Sequence, residues 1–148
     1  MQELNGHQIY GAFKAGASRL RASQDELNRI NVFPVPDGDT GTNMAVTATR
    51  AVEGTEVSES VSATMSSMAD AALAAARGNS GVIFAQFLSG FRESLADSAS
   101  VSMERFARAI AHASQSARRA IGDPREGTIL SVIHAWAEAL GREHHRAE

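Results

Sequence analysis

From Ile9 to Leu140 the apolar residues recur three and four positions apart, and no stretch sustains a two-residue alternation. A chain patterned in this way buries its apolar side chains by laying helices side by side. Ile9, Phe13, Ala17 and Leu20 predict a helix over residues 1–22, and Ser23-Gln-Asp-Glu26 has the spacing of a capping box opening a short second helix through Leu27 and Ile30. A third helix is expected from about Thr40 to Val52, closed by Gly54, and a fourth over 59–77 on the stripe Val61, Met65, Met68, Ala72 and Leu73. The fifth begins at Asn79-Ser80-Gly81, carries Ile83, Phe87 and Phe91, and ends near Ala96. Ser102 caps a sixth bearing Phe106, Ile110, Ala113, Ala117 and Ile121. The seventh spans Thr128 to Leu140 with Ile129, Val132, Ile133 and Trp136, and Gly141 is expected to stop it. The expectation is an all-α, antiparallel helical bundle of about seven helices: one domain over 1–141, then a polar tail over 142–148 in which His144 and His145 are solvated.

Three glycine-bounded loops interrupt this pattern: Gly38 to Gly41, Gly78 to Gly81 and Gly122 to Gly127. They fall at the starts of the third, fifth and seventh helices. In an up-and-down array odd-numbered helices start at the same end, so the helix count alone brings the three loops to one end of the bundle.

Composition removes several kinds of function. There is no cysteine, hence no disulfide framework, thiolate nucleophile or cysteine-based zinc site. With a net charge of −3 and its arginines scattered, the chain has no basic face that calls for nucleic acid. No apolar run approaches the length of a membrane span, and the N-terminus, with Glu3 and no apolar core, does not read as a signal peptide. A cytoplasmic protein that does not insert into membranes is the expectation.

The first loop is the most unusual. Asn31-Val-Phe-Pro-Val-Pro-Asp-Gly-Asp-Thr-Gly-Thr-Asn-Met44 holds two of the three prolines and two carboxylates one residue apart. Pro34 and Pro36 stiffen the approach to Asp37, while Gly38 and Gly41 permit a tight turn or a close ligand approach. With a helix starting after Asp39, free N–H groups are expected beside the two carboxylates, which suits a hard cation next to a phosphate. A bare Asp-Gly-Asp also fits a plain turn. An EF-hand starting at Asp37 is excluded, since its sixth and twelfth positions are Thr42 and Ala48. A P-loop is excluded because the single lysine, Lys14, is followed by alanine. Gly78-Asn-Ser-Gly81 is a second phosphate-type helix start, although an ordinary helix boundary looks the same. In the third loop, Arg125 offers a planar fork suited to phosphate.

The segment Asn31–Met44 closely resembles the signature of the dihydroxyacetone-kinase L-type (DhaL) domain, with a specific likeness to the nucleotide-binding domain of bacterial fatty-acid kinases. Ala76-Arg-Gly-Asn-Ser-Gly-Val-Ile83 and Pro124-Arg-Glu-Gly-Thr-Ile-Leu-Ser-Val132 look like the second and third motifs of that family, in the same order. The resemblance implies an α-helical barrel binding ATP or ADP through two magnesium ions. It assigns Asp37 and Asp39 as the metal-holding catalytic pair, and Thr40, Gly41, Thr42 and Asn43 as phosphate contacts. Gly78, Asn79, Ser80 and Gly81, with Arg125, Thr128 and Ile129, then complete the nucleotide site. Where sugar-type members carry a third aspartate, this chain has Asn31, as the fatty-acid-kinase-like members do.

The implied reaction is transfer of the γ-phosphoryl group of ATP to a fatty carboxylate presented by a separate, DegV-like lipid-binding protein; a dihydroxyacetone kinase, or a non-catalytic module keeping the fold, is the alternative. The family domain continues into further helices and an Asp-Ala-Gly-Gly motif that closes over the nucleotide, and no such motif stands before Glu148. The expectation is therefore a domain lacking its C-terminal closing helices, with inner faces around Phe87, Ile133 and Trp136 exposed and prone to self-association.

Overall fold

The computed structural model describes residues 2–32 and 35–146, with the side chains of His144 and His145 outside the description. The expected stiffening by Pro34 and the solvated histidine pair therefore lie outside the described residues.

Seven helices form the described structure: α1 (Gly6–Ala22), α2 (Gln24–Arg29), α3 (Thr40–Glu53), α4 (Val61–Ala75), α5 (Gly78–Ser94), α6 (Met103–Arg119) and α7 (Ile129–Arg146). None is long and apolar enough to cross a membrane. Short polar residues set several starts. The Ser60 side chain accepts the N–H of Ala63 at α4, and Ser102 accepts that of Arg105 at α6. A capping box does open a helix, but at α1: Asn5 accepts the Gln8 N–H at 3.0 Å, and the Gln8 side chain accepts the Asn5 N–H at 2.9 Å. The box expected at Ser23 is absent. Ser23 keeps near-helical backbone (φ −99°, ψ 5°) between α1 and α2, so its hydroxyl makes no capping bond. A capping side chain needs extended backbone to reach forward.

Gly141 does not end α7. The helix runs through it to Arg146, so residues 142–146 are helical where a polar tail is expected. Glycine inside a helix costs about 1 kcal/mol against alanine. The ion pair Glu138–Arg142 spans Gly141, and Glu143–Arg146 follows it, both at helical spacing. A pairing that the helical pattern does not reveal links the chain's beginning to its middle. β1 (Glu3–Leu4) runs antiparallel to β2 (Val101–Ser102), with Leu4 opposite Val101.

The core lies where α4, α5 and α6 meet. Val61, Met65, Met68 and Ala72 of α4 face Leu88 and Phe91 of α5, and Ile110 and Ala113 of α6 close the other side. Phe91 is the hub of an aromatic chain: its ring lies 6.0 Å from Phe13, 6.4 Å from Phe87 and 5.6 Å from Phe106. Phe91 is completely buried, and edge-to-face pairs of this kind add about 0.5–1.5 kcal/mol each beyond their burial. The helices α1, α3, α4 and α5 pack on one another in turn, α6 lies along α5, and α7 packs mainly on α6. Phe87 and Ile133 are buried, against the expectation of an open inner face. Trp136 rests on Phe87 and Phe106 with 42% of its surface exposed, and Val132 of the same helix is exposed as well.

Candidate functional site

The starts of α3 and α5 come together at one end of the bundle. Ser80 donates its hydroxyl hydrogen bond to the carbonyl of Thr40 at 3.0 Å. Thr47 is fully buried; its hydroxyl donates to the Asn43 carbonyl at 2.8 Å and accepts the N–H of Arg77 at 3.2 Å. One side chain thus ties the first turn of α3 to the residue that opens α5. The glycines allow this closeness. A Cβ on Gly78 would stand 2.3 Å from Asn43 Nδ2, and Gly78 has a φ of +66°. A Cβ on Gly81 would stand 2.4 Å from the Thr47 hydroxyl.

The two helix starts are finished differently. At α3 the backbone donors are already taken. Asn31 Oδ1 accepts the N–H of Asp39 at 3.2 Å and of Thr40 at 3.3 Å, and Asn28 Oδ1 accepts that of Thr42 at 3.0 Å. In the first turn of α3 this leaves, among the described residues, the Gly41 N–H without an acceptor, because two asparagines upstream cap the helix across the loop. At α5 Arg77 occupies the cap position without a side-chain cap, and among the described residues the N–H groups of Gly78, Asn79 and Ser80 have no acceptor. The partial positive charge of a 17-residue helix therefore meets solvent at α5.

Asp37 and Asp39 are exposed, and among the described residues neither carboxylate takes part in a hydrogen bond or ion pair. Asp39 stands at the N-cap of α3 but its side chain does not cap. Asn43 is 6% exposed, and its side-chain amide has no partner among the described residues. Its polar atoms are not among the buried unpaired ones, which among the described residues are Thr49 Oγ1, Ser89 Oγ and Ser98 Oγ, so the amide at this otherwise buried residue still reaches solvent. No group of three or more His, Asp or Glu able to hold a metal occurs among the described residues. Two carboxylates nevertheless fit magnesium, which takes one or two from protein and fills its remaining positions with water and phosphate oxygens.

The third loop carries its own set of hydrogen bonds. Arg125 donates to Asp123, Glu126 accepts from Arg118 at 2.7 Å and from Ser131 at 2.7 Å, and the Thr128 hydroxyl donates to the Arg125 carbonyl. The Glu126 carboxyl is held below its usual range, first by the Ser131 hydroxyl and then by Arg118. Ile129 is half-buried against the core. The end of α6 shares a groove of about 370 Å³ with Val82 and Gln86 of α5, which brings the α6–α7 connection to the α5-start end of the bundle. Neither this groove nor a second one between Gly54 and Asp70 is lined by the acidic loop. Asp37, Gly38, Asp39, Gly78 and Asn79 are all exposed, so these residues form a solvent-facing rim.

Sequence reasoning missed Gln24, Asn28 and Thr47, and noted Asn31 only as standing where sugar-type relatives carry an aspartate, not as a helix cap. Asn28 and Asn31 bond to N–H groups up to 14 and 9 positions further on, so no local spacing marks them as caps of α3.

The chain matches the DAK2 domain model over residues 34–148. It is 36% identical over 141 residues to an uncharacterized protein of Staphylococcus epidermidis, covering 94% of this chain and 26% of that protein. An uncharacterized protein of Staphylococcus saprophyticus is 40% identical over 126 residues, covering 84% of this chain and 23% of that protein. One from Staphylococcus aureus is 33% identical over 150 aligned positions, covering all of this chain and 27% of that protein. The chain thus spans about a quarter of the length of these relatives. With all three glycine loops but the leading Asn31 to Phe33 inside the match, the chain belongs to the DAK2 domain family, a kinase-type domain of the dihydroxyacetone-kinase family.

Proposed function

We propose that this chain is the nucleotide-binding part of an ATP-dependent kinase that phosphorylates a fatty-acid carboxylate presented by a separate lipid-binding protein. The observation that supports it is the juxtaposition of two uncommitted carboxylates with an uncapped helix start, held together by Thr47 and Ser80. Phosphoryl transfer asks mainly for positioning and charge neutralisation, and that is the inventory here. The amides of Gly78, Asn79 and Ser80 receive phosphate oxygens, and the Asn43 amide supplies a further donor. Arg125, Thr128 and Ile129 flank the nucleotide from the third loop. Asp37 and Asp39 hold magnesium, which when bound offsets the negative charge between the triphosphate and an anionic acceptor.

A fatty carboxylate is ionised at neutral pH, so this acceptor needs no general base, and none stands among the site residues. Asn31 favours it over a sugar acceptor: its amide oxygen is committed to two backbone donors and adds no third negative charge. The test is calorimetric titration with ADP and ATP, with and without magnesium, followed by trapping of acyl phosphate with hydroxylamine when a fatty-acid-loaded presenter is added to the full-length protein. Magnesium-dependent binding and a trapped acyl group are expected. Absence of magnesium-dependent binding overturns the nucleotide reading. Phosphorylation of dihydroxyacetone in place of the fatty acid overturns the acceptor.

A further inference from the structure

We propose that Gln24 and Asn28 of α2 are positioning residues that hold the Thr42 hydroxyl as a hydrogen-bond donor toward a phosphate oxygen; this rests on the nucleotide reading above. A threonine oxygen has two lone pairs and one proton. At Thr42 both lone pairs are filled, by Gln24 Nε2 at 3.1 Å and Asn28 Nδ2 at 3.0 Å. The direction of the Asn28 amide is fixed by its other end, since Asn28 Oδ1 accepts the Thr42 N–H at 3.0 Å. What remains on Thr42 is the proton, and among the described residues it has no acceptor.

α2 is pressed against α3 at this point. A Cβ on Gly41 would stand 2.3 Å from the Gln24 carbonyl and 2.8 Å from Leu27 Cβ, so the two amides face Thr42 at close range. The N–H of Gly41 also lacks an acceptor among the described residues, so two adjacent donors are left open three residues or fewer from Asp39. A freely rotating hydroxyl serves as donor or acceptor. This one is committed to donating, which favours an anionic oxygen and disfavours a cation or an N–H group at the same place. A six-residue helix with no buried residue thereby has a role in the site.

The test is calorimetric titration of the 148-residue chain with ADP and magnesium, with thermal unfolding followed in parallel. Thr42→Val keeps the shape and removes the donor; affinity should fall about 10-fold, the scale of one hydrogen bond to a charged group. Thr42→Ser should recover most of that loss. Asn28→Asp still caps the Thr42 N–H but captures the hydroxyl proton, so affinity should fall by a similar factor while the melting temperature holds or rises. Gln24→Glu should act in the same direction. In the Thr42→Val background, Asn28→Asp should cost much less than alone, because there is no proton left to capture. Wild-type affinity in Thr42→Val overturns the assignment. So does an equal cost of Asn28→Asp in both backgrounds, which would mean simple charge repulsion. A wild-type chain that binds no magnesium–ADP removes the nucleotide reading itself, and this assignment with it.

Discussion

The starts of α3 and α5 lie side by side and share glycine-rich sequence, yet they are finished in opposite ways. α3 has the amides of Asp39, Thr40 and Thr42 occupied by Asn28 and Asn31, and in front of them stand two carboxylates with no partner among the described residues. α5 has no side-chain cap and no acid in its first turn. A capped helix start is electrically quieter and tolerates neighbouring metal ligands, while a bare one attracts an anion. On the proposed reading α3 brings the cation ligands together with the Gly41 amide and the Thr42 hydroxyl, and α5 brings a run of three backbone donors.

The harshest way to break the pairing is Gly78→Ala. The new Cβ meets Asn43 at 2.3 Å with φ at +66°, so a loss of about 2–4 kcal/mol of stability is expected, together with loss of nucleotide binding, by thermal unfolding and calorimetry. Asp37→Asn or Asp39→Asn should leave stability within about 0.5 kcal/mol, because both residues are exposed and neither side chain has a partner among the described residues. Magnesium-dependent affinity should nevertheless drop about 100-fold, roughly 2.7 kcal/mol. Unfolding of either variant, with binding kept by whatever remains folded, would make the loop structural.

Thr47→Val keeps the volume and strips both hydrogen bonds joining the two helix starts. Since the Asn43 carbonyl and the Arg77 N–H each lose a partner, about 1–3 kcal/mol of stability should be lost, with weaker nucleotide binding. Arg77→Ser sharpens the contrast. The cap position has extended backbone (φ −134°, ψ 125°), so a serine there should stabilise α5 by up to about 1 kcal/mol while competing with phosphate for the same amides. Arg77→Ala, which removes the charge without adding a cap, is the control; if both variants bind nucleotide equally, the α5 amides are not the phosphate site.

The smallest effect concerns the third loop. Because the folded-state pKa of Glu126 is lowered, its contribution to stability is present above the unfolded carboxylate value and is lost as pH falls through the lowered one. Glu126→Gln should slightly flatten the acid side of the stability profile, measured by denaturation between pH 3 and 7, and leave the α3–α5 site unchanged.

The sequence alone determined seven helices, their order and most of their boundaries, because each carries its own apolar stripe and is punctuated by local chemistry. It also marked the three loops, since glycine, proline and paired aspartates are costly to place without a reason. Where a boundary depended on one residue's intrinsic preference, as at Gly141 or Ser23, the neighbourhood prevailed: ion pairs lie along the helix past a glycine, and near-helical backbone leaves a serine unable to cap. Which helix start is open to an anion was decided only by tertiary structure. The caps of α3 come from Asn28 and Asn31 across a loop, and Thr47 reaches 30 positions along the chain to Arg77. Hydrogen bonds between residues so far apart leave no periodic trace in a sequence; they exist only once packing has brought the donors within 3 Å or so of their acceptors.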